Sequence, residues 1–338
     1  MIISRIKTRI SLALKIAFVS FLFVLLIRKA NIDALTDLLK DISIGYFIVV
    51  VFIHFIDKVF MGFKWNYLLK IFGVQLSVRL PILAYLRARV FNIFTPAGIG
   101  IDIYKVLFLK KYTNNTTNII ASVFIERLIG AVSTIAFVSL LLYFPLTHFQ
   151  ITTPFLATTL GVALFLVISI IIYSILKYSY SFRKIQFRCF FPERIKKTLN
   201  HAILILSNLG NDRKKVILYF LLSTMEKMAY GTVIYFCARS VRIDNINFFF
   251  IVSVASFLAL IERLPITISA IGVREGLFVV LFLPYFQDFT ISFTIALVFR
   301  LADIVLTVLC LFFWMDSFGP KFKNAEVTSV KELLKPSK

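Results

Sequence analysis

The sequence predicts an all-α integral membrane protein with about six full transmembrane helices and two oppositely oriented re-entrant helical hairpins. Three observations carry that prediction. The first is composition: 59% of the 338 residues are hydrophobic and the mean hydropathy is +0.90, too apolar for a soluble fold that must keep a polar skin over one core. The second is a series of apolar runs near the ~20 residues that a helix needs to cross a ~30 Å hydrocarbon core. The third is a pair of regions, 81–109 and 246–284, where such runs are broken by proline and glycine.

In chain order, the full crossings are predicted at 10–27, 44–63, 118–143, 155–176, 216–237 and 292–315. The first is read as an uncleaved helix rather than a signal peptide, because Arg28 and Lys29 follow it directly with no small-x-small cleavage site. Segment 31–43 spaces Ile32, Leu35, Leu39 and Ile42 helically behind a possible Asn31 cap, which predicts a short surface helix. Segment 194–209 does the same within a basic loop, 177–215. The membrane domain is placed at 1–319 and a polar, Lys-rich tail at 320–338.

The formal charge of +21 is explained by topology. Arg5, Lys7, Arg9 and Lys15 open the chain, 177–215 carries ten Lys/Arg against Glu193 and Asp212, and the tail is again basic. Segments 28–43 and 144–154 are balanced or neutral. The positive-inside rule therefore predicts a multi-pass protein of the inner, cytoplasmic membrane with both termini in the cytoplasm. No segment is long enough to fold a basic, aromatic nucleic-acid surface, so no nucleic-acid partner is expected. Cys189, Cys237 and Cys310 are too scattered for a disulfide framework or metal cluster. HExxH, Walker A, GxSxG and DxD patterns are absent, and no metal, cofactor or catalytic residue is expected.

The two broken regions share a layout. FNIFTPAGIGIDIYKVLFLKK at 91–111 and ERLPITISAIGVREGLFVVLF at 262–282 each run from an apolar helix into a proline (Pro96, Pro265), a glycine turn (Gly98 and Gly100, Gly272), charged residues and another apolar helix. Such backbone survives in hydrocarbon only where protein or a water-filled cavity satisfies it. By charge, the first region has both ends on the basic side and the second both ends on the other, an arrangement that builds substrate sites in inverted-repeat transporters.

Ionisable residues inside a membrane are expensive, and here they gather near the breaks. Candidate headgroup-binding residues are Arg87, Arg89, Asn92, Asp102, Lys105, Glu126, Arg127, Glu262, Arg263, Arg274 and Glu275. A mixed-sign cluster of this kind suits a zwitterionic or phosphate-bearing headgroup, with Arg supplying bidentate phosphate contacts. Arg300 and Asp303 are spaced i,i+3 and are read as a structural ion pair that ties their helix to its neighbours, while adjacent Glu226 and Lys227 are expected to diverge toward separate partners. His54 and Asp57 share one face of the second helix.

At these residues the chain resembles the lysylphosphatidylglycerol synthase transmembrane, or flippase-like, family. The segment ERLPITISAIGVREG looks like its LP-xxxx-G-x-G-V-RE-G block, and two further blocks are similar: R-x-R-x-x-N-x-x-x-P-x-G-x-G-x-D-x-x-K at 87–105 and ER-x-x-G at 126–130. Together they span about 80–290. One departure is Ala270, where the family often has the first glycine of its turn. The resemblance implies translocation of a phospholipid or polyprenyl-linked lipid across the cytoplasmic membrane. The full-length synthases add a soluble aminoacyl-transfer domain, whereas this chain ends 23 residues after Met315, so synthase activity is not expected. Intramembrane lipid phosphatases with inverted hairpins carry a PGxSRS-like signature, but TPAGIGID offers neither serine nor arginine. The alternatives are a membrane-embedded lipid-modifying enzyme using some of Asp57, Asp102 and Glu126, or an accessory subunit of a separately encoded aminoacyl- or glycosyltransferase. The expected partners are thus a membrane lipid and such an enzyme, with a homodimer left open.

Overall fold

A computed structural model describes residues 26–92, 95, 98–141, 213–262 and 272–315. The predicted helix at 155–176, all but the end of the one at 10–27, the amphipathic segment 194–209, the tail, and Pro96, Arg263 and Pro265 lie outside the described residues. Every regular element among the described residues is helical, as an all-α membrane protein requires.

Helix α1, Ile32–Lys40, is the predicted surface helix: Asn31 accepts from the Asp33 and Ala34 amides, and none of its residues is buried. α2 is Ile44–Ile71, α5 is Thr116–Leu141 and α9 is Phe289–Met315. These three contain the described stretches long and apolar enough to cross a membrane: Ile44–Ile71, Thr116–Val138 and Phe289–Trp314. α6, Arg213–Ser240, is as long as α2 but less apolar, because Glu226 and Lys227 sit at its centre. That reduction marks a buried charge centre rather than a helix that stops short.

Both broken regions fold back on themselves. In the first, α3 (Arg79–Ala88) continues as a 3₁₀ turn through Asn92, and α4 (Ile99–Leu109) returns. Each arm is ~15–17 Å long, about half a hydrocarbon core. Contacts of Phe91 with Tyr104 and of Arg87 with the Phe108 ring pair the arms in antiparallel order. In the second, α7 (Phe248–Ile261) and α8 (Val273–Phe286) are antiparallel by the same logic, with Phe250 stacked on Tyr285 at 4.2 Å and Glu262 3.7 Å from Arg274.

Helix α9 serves as a ruler for both hairpins. Its start near Phe289 lies beside the base of the second hairpin, where Phe293 packs with Val279. Its end lies against the first hairpin, where Trp314 contacts Phe91 and Tyr104, and Arg87 bonds the Phe313 carbonyl. The hairpins therefore approach from opposite ends of one spanning helix. They meet at Asp303, 14 residues from Phe289 and 12 from Met315, which is the middle of the span.

Each hairpin has its own apolar core. Trp65, Leu68, Phe72, Tyr104, Phe108 and Ile125 enclose the first; Phe250, Phe278, Phe282 and Phe299 enclose the second. Because lipid is as apolar as these side chains, helix contact depends on close fit. Two glycines supply it: a methyl on Gly62 of α2 would stand 2.5 Å from the Ile82 Cα on α3, and one on Gly231 of α6 would stand 2.7 Å from the Val252 Cα on α7.

Candidate functional site

The hairpin tips are built by glycines that adopt backbone other residues avoid. Gly98 (φ +67°) and Gly272 (φ +76°) both precede a helix start. After Gly272, the Glu275 carboxylate reaches back to accept from its amide at 2.7 Å, capping α8, while its other oxygen receives Arg300 at 2.6 Å. The Gly-Val-Arg-Glu segment thus sets a turn, a cap and an arginine aimed away from its own helix. Arg274 uses that direction to reach Asp303, with Nη1 3.2 Å from Oδ2, and lies over the Phe299 ring at 4.7 Å. At the other tip, the Gly100 amide donates to Thr95 Oγ1 at 3.0 Å, and no Cβ would fit there because Thr95 stands 2.7 Å away. Pro96 lies outside the described residues, so this turn is described through Gly98, Gly100 and Thr95.

Two charge networks result. The first surrounds Lys105, which is 1% exposed: its Nζ is 2.7 Å from Glu126 Oε2, 2.9 Å from the Tyr85 hydroxyl and 3.5 Å from Asp102. The ammonium also sits over the Trp65 and Tyr85 rings at 4.5 and 4.1 Å. Tyr85 donates to Glu126, and Arg127 bonds Asp102. A neighbouring trio joins Lys64 and Lys227 to Glu226. The second network centres on Asp303, which accepts Arg89 on Oδ1 and Arg274 on Oδ2, with His54 Nε2 3.6 Å from Oδ1. Glu262 and Glu275 complete it around Arg274, and Tyr230 donates to Glu262 at 3.2 Å.

Beside the first network and the Lys64–Glu226 trio is a cavity of about 330 Å³. Arg89, Asp102, Glu126 and Arg127 line it, joined by Lys58, Lys64, Tyr85 and Glu226. Arg89 belongs to both worlds: it faces the cavity and holds Asp303. In a low-dielectric setting such mixed charges hold one another strongly.

The sequence-predicted residues separate accordingly. Arg89, Asp102, Glu126 and Arg127 line the cavity, and Lys105 backs it. Glu262, Arg274 and Glu275 lie in the second network, one carboxylate away. Arg87 instead clamps the first hairpin to α9 through the Phe313 carbonyl at 2.6 Å, and Asn92 lies beside Gly98. Arg263 is outside the described residues.

Two expectations are corrected. Arg300 and Asp303 tie α9 to its neighbours, but not as a pair with each other; Arg300 goes to Glu275, and Asp303 takes Arg89 and Arg274. Neighbouring helices offered partners closer than the i,i+3 geometry allowed. Glu226 and Lys227 do not diverge: Lys227 curls back to within 2.6 Å of its neighbour, since a buried carboxylate with two oxygens can hold two ammonium groups. Tyr85, Trp65, Lys58 and Lys64 were missed. The available signal was Lys58 beside His54 and Asp57 inside the predicted span 44–63, with Lys64 directly after its end.

A family model described as the lysylphosphatidylglycerol synthase TM region matches residues 12–310, while no curated protein matches the chain. The matched stretch takes in both hairpins, the cavity and Asp303. This chain therefore belongs to the lysylphosphatidylglycerol synthase transmembrane-region family, a family of lipid-related membrane proteins.

Proposed function

We propose that the protein carries a lipid across the cytoplasmic membrane, its headgroup passing through the mid-membrane cavity while the acyl chains stay in the bilayer. The observation that carries this reading is the cavity itself: a site of about 330 Å³, within the size range of small-molecule pockets, walled by four basic and three acidic side chains (Lys58, Lys64, Arg89 and Arg127; Asp102, Glu126 and Glu226). Each such charge costs about 2.5–3.5 kcal/mol at mid-membrane on insertion scales. Pairing within the bundle offsets that cost, yet all seven still border an open volume, an arrangement that suits polar cargo. The slight basic excess suits a phosphate-bearing headgroup, and the carboxylates suit an accompanying ammonium. The two hairpins supply opposed gates, as in inverted-repeat carriers.

Lys70, Arg79, Lys110, Lys111, Lys214 and Lys215 gather at the end of the bundle that holds the base of the first hairpin, so we assign that end to the cytoplasm.

Reconstitution into liposomes of phosphatidylethanolamine and phosphatidylglycerol with acyl-labelled lipid, followed by quenching from outside, tests the proposal. Protein-dependent movement of an anionic or zwitterionic lipid is expected. No movement of any lipid in a panel including phosphatidylglycerol, its aminoacylated form and a polyprenyl phosphate would overturn it.

A further inference from the structure

One atom is claimed twice. Arg89 and His54 both address Oδ1 of Asp303: Arg89 is bonded to it, and His54 Nε2 stands 3.6 Å away. The His54 ring is 2% exposed, stacks on Phe299, and leaves its Nδ1 with no hydrogen-bond partner among the described residues. A buried polar atom without a partner is uncommon and asks for an explanation.

The surrounding charge supplies one. Among the described residues, the groups joined by contact to Asp303 are Arg89, Arg274 and Arg300 against Asp303, Glu262 and Glu275, three of each sign. On its own helix His54 is followed by Asp57 and Lys58, which pair at 2.6 Å and cancel. The other helices against α2 present Tyr230, Glu226 and Lys227 from α6, with Glu226 and Lys227 engaged with Lys64, and Glu126 and Arg127 from α5 in the cavity wall. The centre is therefore balanced when the imidazole is neutral. A proton on His54 leaves one positive charge in excess, at mid-membrane, with no spare carboxylate among the described residues.

We propose that His54, Asp303 and Arg89 form a proton-linked switch through which the cavity takes up one anionic phosphate headgroup together with one proton. The proposal rests on the lipid-carrier reading and deepens it by naming the charge class of cargo and what travels with it. The step balances. A proton from water adds to the ring nitrogen that lacks one, and the imidazolium Nε2–H donates to Asp303 Oδ1. Arg89 loses that oxygen, and its guanidinium, already in the cavity wall, turns to the phosphate, which it can grip with two N–H groups. The headgroup anion cancels the added proton, so neither enters at low energetic cost without the other. Arg274 keeps Oδ2 throughout, so the second hairpin tip stays on Asp303 while the first loses that contact and is held by Arg87 at the Phe313 carbonyl.

The test uses the whole purified chain in detergent with minimal buffer and a pH indicator. Adding dihexanoyl phosphatidylglycerol should draw about one proton per lipid bound, and affinity should rise with falling pH by at most about tenfold per pH unit, the limit for one linked proton. His54→Gln should show no uptake and a flat pH profile. Phosphatidylcholine should draw no proton, and uptake driven equally by inorganic phosphate would overturn a lipid as the source of the anion. A second measurement guards against a misfolded variant. In His148→Gln/His201→Gln, which keeps His54 as its single histidine, the ring nitrogen resonances should shift to imidazolium when the lipid is added. Failure to bind phosphatidylglycerol, binding without uptake, uptake that survives His54→Gln, or a ring that stays neutral would each overturn the switch. Proton uptake without lipid movement in liposomes would instead remove the carrier reading and leave the switch; lipid movement without uptake does the reverse.

Discussion

Arg274 and Asp303, 29 residues apart in sequence, meet with Nη1 3.2 Å from Oδ2, and through that contact the tip of the second hairpin is fastened to the midpoint of the spanning helix α9. The same carboxylate holds Arg89 from the first hairpin. Asp303→Ala strips two buried guanidinium groups of their shared partner, and breaking a buried pair from one side costs about 3–5 kcal/mol. Thermal unfolding in detergent should show a large drop for Asp303→Ala. A much smaller drop is expected for Asp244→Ala, whose exposed carboxylate pairs with Arg239 at the protein surface.

Lys105 and Glu126 form the equivalent buried pair in the first network. Lys105→Met and Glu126→Gln should each lower stability by a few kcal/mol, because each strands the other's charge. The double variant should recover part of that loss, since nothing is left uncompensated between them. A double-mutant cycle on melting temperatures checks this; strictly additive losses would show that the two do not depend on each other. Lipid movement should stay low in all three.

Close helix approach gives a graded set. Gly62→Ala and Gly231→Ala force a methyl into backbone at 2.5 and 2.7 Å, an overpacking worth about 1–3 kcal/mol. Gly276→Ala, in α8 with nothing within 4 Å of the added methyl, should be neutral or stabilising by up to about 1 kcal/mol, as helix propensity dictates. Expression-normalised melting curves for the three would separate packing from propensity.

The chain has two tryptophans, and they report on different places. Trp65 donates to Ser122 at 3.1 Å with the Lys105 ammonium over its ring, whereas Trp314 packs on Phe91 and Tyr104 at the end of α9. Phosphatidylglycerol added to Trp314→Phe should change the remaining indole emission, because a headgroup entering the cavity disturbs the charges around Lys105. An unresponsive Trp65 would argue against occupation of that cavity.

Much of this arrangement was legible in the sequence because it rests on local rules. Gly98 and Gly272 mark the described parts of the hairpin tips, and Lys/Arg asymmetry gives their opposed entry, which α9 independently reproduces through Arg87 at one end and Phe293 at the other. Partner choice among buried charges was not legible. Arg300 and Asp303 look paired on a helical wheel, but the distance that decides is to Glu275 and Arg89 on other helices. Lys64 and Tyr85 were overlooked for the same reason: their chemistry arises only when α2, α3, α5 and α6 are brought together.

Two doors share one bolt. If Arg89 and Arg274 let go together, Asp303 would keep, among the described residues, only the His54 imidazole 3.6 Å away as a partner for its charge in the middle of the bilayer. Releasing both arginines at once is therefore costlier than releasing either alone. One carboxylate therefore couples the two hairpin tips, in addition to the separate ties that Arg87 makes to the Phe313 carbonyl and Arg300 makes to Glu275.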